Sequence, residues 1–155
     1  MAEGSTRYPD RVIRAIHVAL DDEYRAAAFY AAVIEKFGDV RPFINIIDAE
    51  RRHARRLERL LEAAGEPIPA NPYETGESRP PPVPATLAEA CRVGAEAEIQ
   101  NAALYDEDLI PAVDGFPAVE SAMRDLRAAS QDNHLPAFQR CLERGARRND
   151  ARKNR

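Results

Sequence analysis

The sequence predicts an all-α four-helix bundle in which two antiparallel hairpins are joined by one long, proline-rich crossover. Three observations carry this expectation. Apolar residues recur with helical rather than strand periodicity, Pro and Gly divide the chain into four long segments, and the connections between segments run short, long, short. At 155 residues the chain suits one domain with a sizeable core. The bundle is expected over residues 10–147, after a flexible N-terminus at 1–9 and before a basic C-terminal tail at 148–155.

The first segment runs from about Asp10 to Phe37 and stops at Gly38, a residue suited to the position just past a helix end. The second starts at Pro42, which fits a first helical turn, and runs to about Ala64 before Gly65. Pro67, Pro69, Pro72, Pro80, Pro81, Pro82 and Pro84 then fill the stretch up to Ala85, which is expected to be an extended crossover without helix. Thr86-Leu87-Ala88-Glu89 matches a capping box, so the third helix starts at Thr86 and is expected to end before Pro111. The fourth begins near Pro117, after the Asp114-Gly115 turn, and continues to about Ala146.

Composition narrows the function classes. With 31% charged and 45% hydrophobic residues the profile is that of a soluble globular protein. Met1 to Pro9 carries neither an apolar h-region nor a cleavage motif, so a cytoplasmic location without a membrane partner is expected. A net charge of -4 repels a nucleic-acid backbone, and the basic run of Arg144, Arg147, Arg148, Arg152, Lys153 and Arg155 is expected to be a solvated end. Cys91 and Cys141 are too few for a disulfide scaffold and neither sits in a Cys-x-x-Cys pair.

The functional signal lies in polar residues on the core stripe. In the first helix Ile13, Ile16, Leu20, Glu23, Ala27, Tyr30, Ile34 and Phe37 step by threes and fours, so Glu23 points inward. The second places Glu50 and His53 one turn apart among Phe43, Ile46, Leu57 and Leu60. The third offers Glu98 among Leu87, Cys91, Ala102, Tyr105 and Leu109, with Glu89 and Glu96 turned to solvent. In the fourth, Met123, Leu126, His134, Phe138 and Cys141 mark one face, with Gln131 a turn before His134. His17 lies off the seam of its helix and is expected to be exposed or half-buried.

Convergent buried carboxylates need a compensating charge, and the seams supply no Lys or Arg. A divalent cation supplies the charge and also accounts for the histidines. Depth along the bundle agrees. Glu23 and His53 are equidistant from Gly38, and Glu98 and Gln131 are equidistant from the Asp114-Gly115 turn, so all four belong at one height. An internal repeat supports the same site: Glu23 and Glu98 are each followed two turns later by Tyr30 and Tyr105, and Glu50-x-x-His53 parallels Gln131-x-x-His134. A buried network of Glu, His and Tyr without metal is the competing reading.

On these motifs the chain resembles the ferritin-like superfamily, closest to its rubrerythrin side and to an uncharacterised ferritin-like domain family, over about Val12 to Leu142. The resemblance implies two irons, with Glu23 and Glu98 as terminal ligands, Glu50 as a bridging carboxylate, His53 and His134 as one nitrogen ligand each, and Tyr30 and Tyr105 hydrogen-bonding to the ligands. It implies oxygen or peroxide as substrate, ferroxidase or peroxide-reducing activity, and a homodimer. Gln131 stands where the family has a second bridging carboxylate, so the second metal is expected to bind loosely, with manganese or zinc as alternative occupants. Pro136 is expected to bulge the fourth helix, which would swing Asp132 toward the metals. Cys91 and Cys141 fall at one height, as a redox-active pair, a disulfide clamp or two core residues. A metal-binding protein without turnover and a dimerising structural bundle are the other function classes.

Overall fold

The computed structural model describes residues 7–154, which are helical throughout their regular structure, with no strand among the described residues. Helix α1 (Asp10–Phe37) turns at Gly38 and packs along α2 (Phe43–Ala63). Gly38 takes φ +84, where a side chain would be strained, and its N–H donates to the Ile34 carbonyl to close α1. A one-turn helix α3 (Pro72–Thr75) interrupts the crossover, and then α4 (Leu87–Leu104) starts at Thr86, whose hydroxyl accepts from the Glu89 N–H at 3.2 Å. A π-helical turn, Tyr105–Leu109, carries α4 into α5 (Ile110–Ala112). After the Gly115 turn, α6 (Pro117–Ala129) passes through a second π turn, Ser130–His134, into α7 (Leu135–Lys153).

Four boundaries differ from the sequence expectation. The crossover is not wholly extended. Pro72 is tolerated in a first turn, the Asn71 side chain caps the Tyr73 N–H at 3.0 Å, and Tyr73 packs on the core. The third helix does not stop before Pro111, because the preceding turn has already widened: the Ile110 N–H donates to the Tyr105 carbonyl five residues back. The fourth continues past Ala146 to Lys153, so much of the supposed tail is exposed helix. At the other end, Tyr8 is not free, since its ring meets Phe116 edge-on at 5.7 Å between centroids; residues 1–6 and Arg155 lie outside the described residues.

The core falls into two apolar clusters. One gathers Ile16, Leu20, Leu57, Leu61, Tyr105, Leu109, Val119 and Met123, and the other Phe29, Tyr30, Val33, Phe43, Ile46, Cys91, Phe138 and Cys141. The second is closely packed. Rings of Tyr30, Phe43 and Phe138 lie 5.3–5.7 Å apart, and Gly94 lets the Phe138 ring so near α4 that a Cβ there would sit 2.6 Å from it. Glu23, Glu50, Glu98, Ser130 and His134 are buried as well, and they form a polar layer in an otherwise apolar interior.

Candidate metal centre

Each helical rod contributes to the polar layer from the middle of its length. Glu23 comes from α1, Glu50 and His53 from α2, Glu98 from α4, and Ser130 and His134 from the second π turn. The seam spacing brings them together as the sequence indicates. Glu23, Glu50 and His53 form one group of possible ligands, and Glu50, Glu98 and His134 form another, with ligand atoms inside each group within 4.8 Å of one another. Glu50 belongs to both. One of its oxygens lies 3.2 Å from His53 Nδ1, and the other lies 3.1 Å from His134 Nδ1.

The two tyrosines clamp this layer from opposite sides. Tyr30 donates to Glu98 Oε1 at 2.8 Å, and Tyr105 donates to Glu23 Oε1 at 3.1 Å. Each tyrosine thus serves the glutamate of the other helix. That crossing requires α1 and α4 to run antiparallel, and it orients both carboxylates.

Electrostatics without a cation are strained. Burial pushes the Glu23 carboxyl well above its usual value, and the neighbouring Glu50 charge adds to the shift. Burial also opposes ionisation of Glu50, but its close polar contacts with Glu23, His134 and His53 outweigh it and hold Glu50 below the carboxylate range. Burial likewise opposes a charge on His134, yet the Glu50 and Glu98 carboxylates raise its pKa to about 10. Both raised groups favour their protonated forms, which lowers the net negative charge of the layer.

His134 Nδ1 tests whether a metal fits. It lies within ion-pair distance of Glu50 Oε1 at 3.1 Å and Glu98 Oε1 at 3.3 Å, and nevertheless is a buried side-chain nitrogen that meets hydrogen-bond geometry with no partner. An imidazole nitrogen 3.1 and 3.3 Å from two carboxylate oxygens becomes, once its proton is lost, a donor set that a cation could bind. The residues fit a divalent transition metal, which accepts mixed imidazole and carboxylate ligands.

Gln131 does not enter the layer. It is half-buried and makes no side-chain hydrogen bond among the described residues, whereas Ser130 is buried and donates to Glu98 Oε2 and to the Glu98 carbonyl, the latter at 3.2 Å. The π turn explains the exchange. The Leu135 N–H donates to the Ser130 carbonyl five residues back, so the turn holds an extra residue, and the position above His134 falls four rather than three residues before it. Pro136, which lacks the N–H that would bond the Asp132 carbonyl, marks that bulge in the sequence. The bulge does not deliver Asp132, which is exposed.

A further acid does approach, and seam counting missed it. Asp22 is half-buried and is held by the Asn101 side chain. Burial raises its pKa, with smaller contributions from the Glu50 and Glu98 charges. Its partner Asn101 stands three residues after Glu98, but the repeat sets Ala97 against Asp22 and Ala26 against Asn101, so it gives no signal for this pair. A cavity of about 330 Å³ between α1 and α4 has Asp22, Arg25 and Asn101 in its wall and reaches Tyr30, Glu50 and Glu98. Oxygen- or peroxide-sized molecules are far smaller than this.

The remaining candidates lie apart. His17 is half-buried outside the layer. Cys91 and Cys141 join α4 to α7 as a disulfide with a Cα–Cα distance of 6.2 Å. No helix among the described residues is long and apolar enough to cross a membrane. Compared with known proteins, the chain matches no family model, no curated protein and no solved structure.

Proposed function

We propose that the chain is a ferritin-like four-helix bundle whose polar layer holds two adjacent transition-metal ions, iron in the native protein, and that it acts as a ferroxidase or peroxide-reducing oxidoreductase. The observation that supports this best is the sharing of Glu50 between two Glu/His groups, each of which holds two carboxylates and one imidazole. One bridging carboxylate between two equivalent half-sites is what a pair of cations at close range needs.

Bound iron supplies one-electron chemistry toward oxygen or peroxide. The protein's own residues do the rest. Glu23 and Glu98 would each offset part of the charge of one ion, Glu50 would be shared between the two, and His53 and His134 would supply one nitrogen ligand each. Tyr30 and Tyr105 orient the terminal carboxylates by donating to them. The ring carries three carboxylates against two divalent ions, and Asp22 offers further negative charge close by. The cavity beside Asn101 gives a small oxidant a route to Glu50 and Glu98.

Ferrous protein mixed rapidly with oxygen or hydrogen peroxide is expected to give an absorbance rise as iron becomes ferric, at a rate above that of free iron. The absence of Gln131 from the layer favours a second reading, in which the protein handles metal without turnover because one half-site is weakly held. Stoichiometric iron with no oxidant-dependent absorbance change would select that reading over the enzyme.

A further inference from the structure

One cysteine of the disulfide borders a second, larger feature. A groove of about 1300 Å³ runs between the α1–α2 connection, the start of α4 and the outer face of α7, and Cys141 lines it. Its walls are strongly basic. Arg140, Arg144, Arg148 and Arg152 follow one another every fourth residue along α7, spanning about 18 Å of helix, and Arg41 faces the same groove. Asp39 is the one acid among the lining residues. None of these five arginines has a carboxylate partner among the described residues, unlike Arg56, Arg92, Arg124 and Arg127 elsewhere on the molecule. Like charges four apart on a helix repel, so the stripe lowers helix stability unless an anion occupies the groove.

We propose that this groove is the docking site of a small, carboxylate-bearing thiol that reduces the Cys91–Cys141 disulfide by exchange at Cys141. The inference is independent of the metal centre. The guanidinium rows select for anions and against cations, since they pair with carboxylates in a forked geometry. Cys141 borders the groove whereas the fully buried Cys91 does not, so exchange starts at the Cys141 sulfur, with a thiol slim enough to enter the groove beside it. A ligand of tripeptide size satisfies both conditions.

The exchange balances as follows. The incoming thiolate forms an S–S bond to Cys141 Sγ, the Cys91–Cys141 bond breaks, and Cys91 leaves as a thiolate that takes a proton from solvent. A second thiol attacks the outer sulfur of the mixed disulfide and releases the Cys141 thiolate, whose charge the neighbouring arginines stabilise. Two small thiols thereby become one small disulfide, and two electrons and two protons pass to the cysteine pair.

The test compares glutathione, neutral 2-mercaptoethanol and cationic cysteamine at equal thiolate concentration and low ionic strength, with free cysteines trapped by alkylation and counted by intact mass. Glutathione is expected to open the disulfide about ten-fold faster than cysteamine, and about 0.5 M salt is expected to remove that advantage. Arg144→Glu should remove it too, while Arg147→Glu, an equal charge change off the groove, should leave it in place. An unchanged 2-mercaptoethanol rate shows that Arg144→Glu remains folded; if that rate moves, Arg148→Gln becomes the deciding variant. Equal glutathione and cysteamine rates, equal effects of the two charge reversals, or an intact mass lacking the disulfide would each overturn the proposal.

Discussion

At Ser130 a hydroxyl occupies the place where residue counting puts an amide. It donates to Glu98, a ligand of the candidate centre, while Gln131 makes no side-chain hydrogen bond. Hydrogen bonds that orient a ligand typically contribute 10- to 100-fold in metal affinity. Ser130→Ala is therefore expected to weaken cobalt binding by about ten-fold or more, in a competition titration against a chromophoric chelator, and Gln131→Ala to leave it unchanged. The reverse ranking would show that the π turn does not set the register. Protonation gives a second expectation at this scale. His134, with its pKa raised to about 10, holds a proton at neutral pH that a metal bound at its Nδ1 must displace. Calorimetric titration at pH 7 in buffers of different ionisation enthalpy should show net proton release on metal binding, and a buffer-independent heat would refute it. The sign for stability follows from the raised values of His134 and Glu23. Both groups bind protons more tightly folded than unfolded, so metal-free protein should lose thermal stability as pH rises, through Glu23 from above its unfolded value of 4.5 and through His134 between 6.5 and about 10. A melting temperature that climbs across pH 6.5 to 10 would contradict this.

Among the elements, α4 and α7 are in tight contact where Gly94 faces Phe138. A Cβ at Gly94 would collide with the ring, and the ring is held by Tyr30 and Phe43, so α4 and α7 must separate. Overpacking of this kind costs about 1–3 kcal/mol. Gly94→Ala is expected to lower the melting temperature by several degrees, and an unchanged or higher value would mean that the contact is loose. The same helices mark the limit of what the sequence discloses. Helical periodicity, the Thr86 capping box and the glycine stops locate the long helices because each is a local rule, met within a few residues. Glu23, Glu50, His53, Glu98 and His134 were legible as a group because seam position and distance from the turns are simple counts. The count fails where the backbone leaves the α-helical repeat. Two π turns each add a residue, which carries the third helix through Pro111 and replaces Gln131 with Ser130. Both turns are followed by a proline two residues later, so a signal existed, but proline alone does not say which residue the wider turn brings inward. The one-turn helix at Pro72–Thr75 and the approach of Asp22 depend on side-chain partners, Asn71 and Asn101, that periodicity does not weigh.

For the whole molecule, the polar layer is a cost that a bound cation would convert into a tie between all four rods. Three buried carboxylates repel one another, and the protons on Glu23 and His134 only partly relieve this. Binding to the folded chain alone stabilises it by mass action, about 2.7 kcal/mol when free metal is a hundred times its dissociation constant. The melting temperature is therefore expected to rise steadily with added iron(II) or cobalt(II), and Glu50→Ala, which removes the shared ligand, should flatten that dependence. The most direct test of the central claim is an anomalous-difference map from crystals grown with iron(II) under anaerobic conditions. Two peaks are expected, one among Glu23, Glu50 and His53 and the other among Glu50, Glu98 and His134, with Glu50 between them. A map empty at both positions, with Glu50 and His134 joined instead by an ordinary hydrogen bond, would contradict the account.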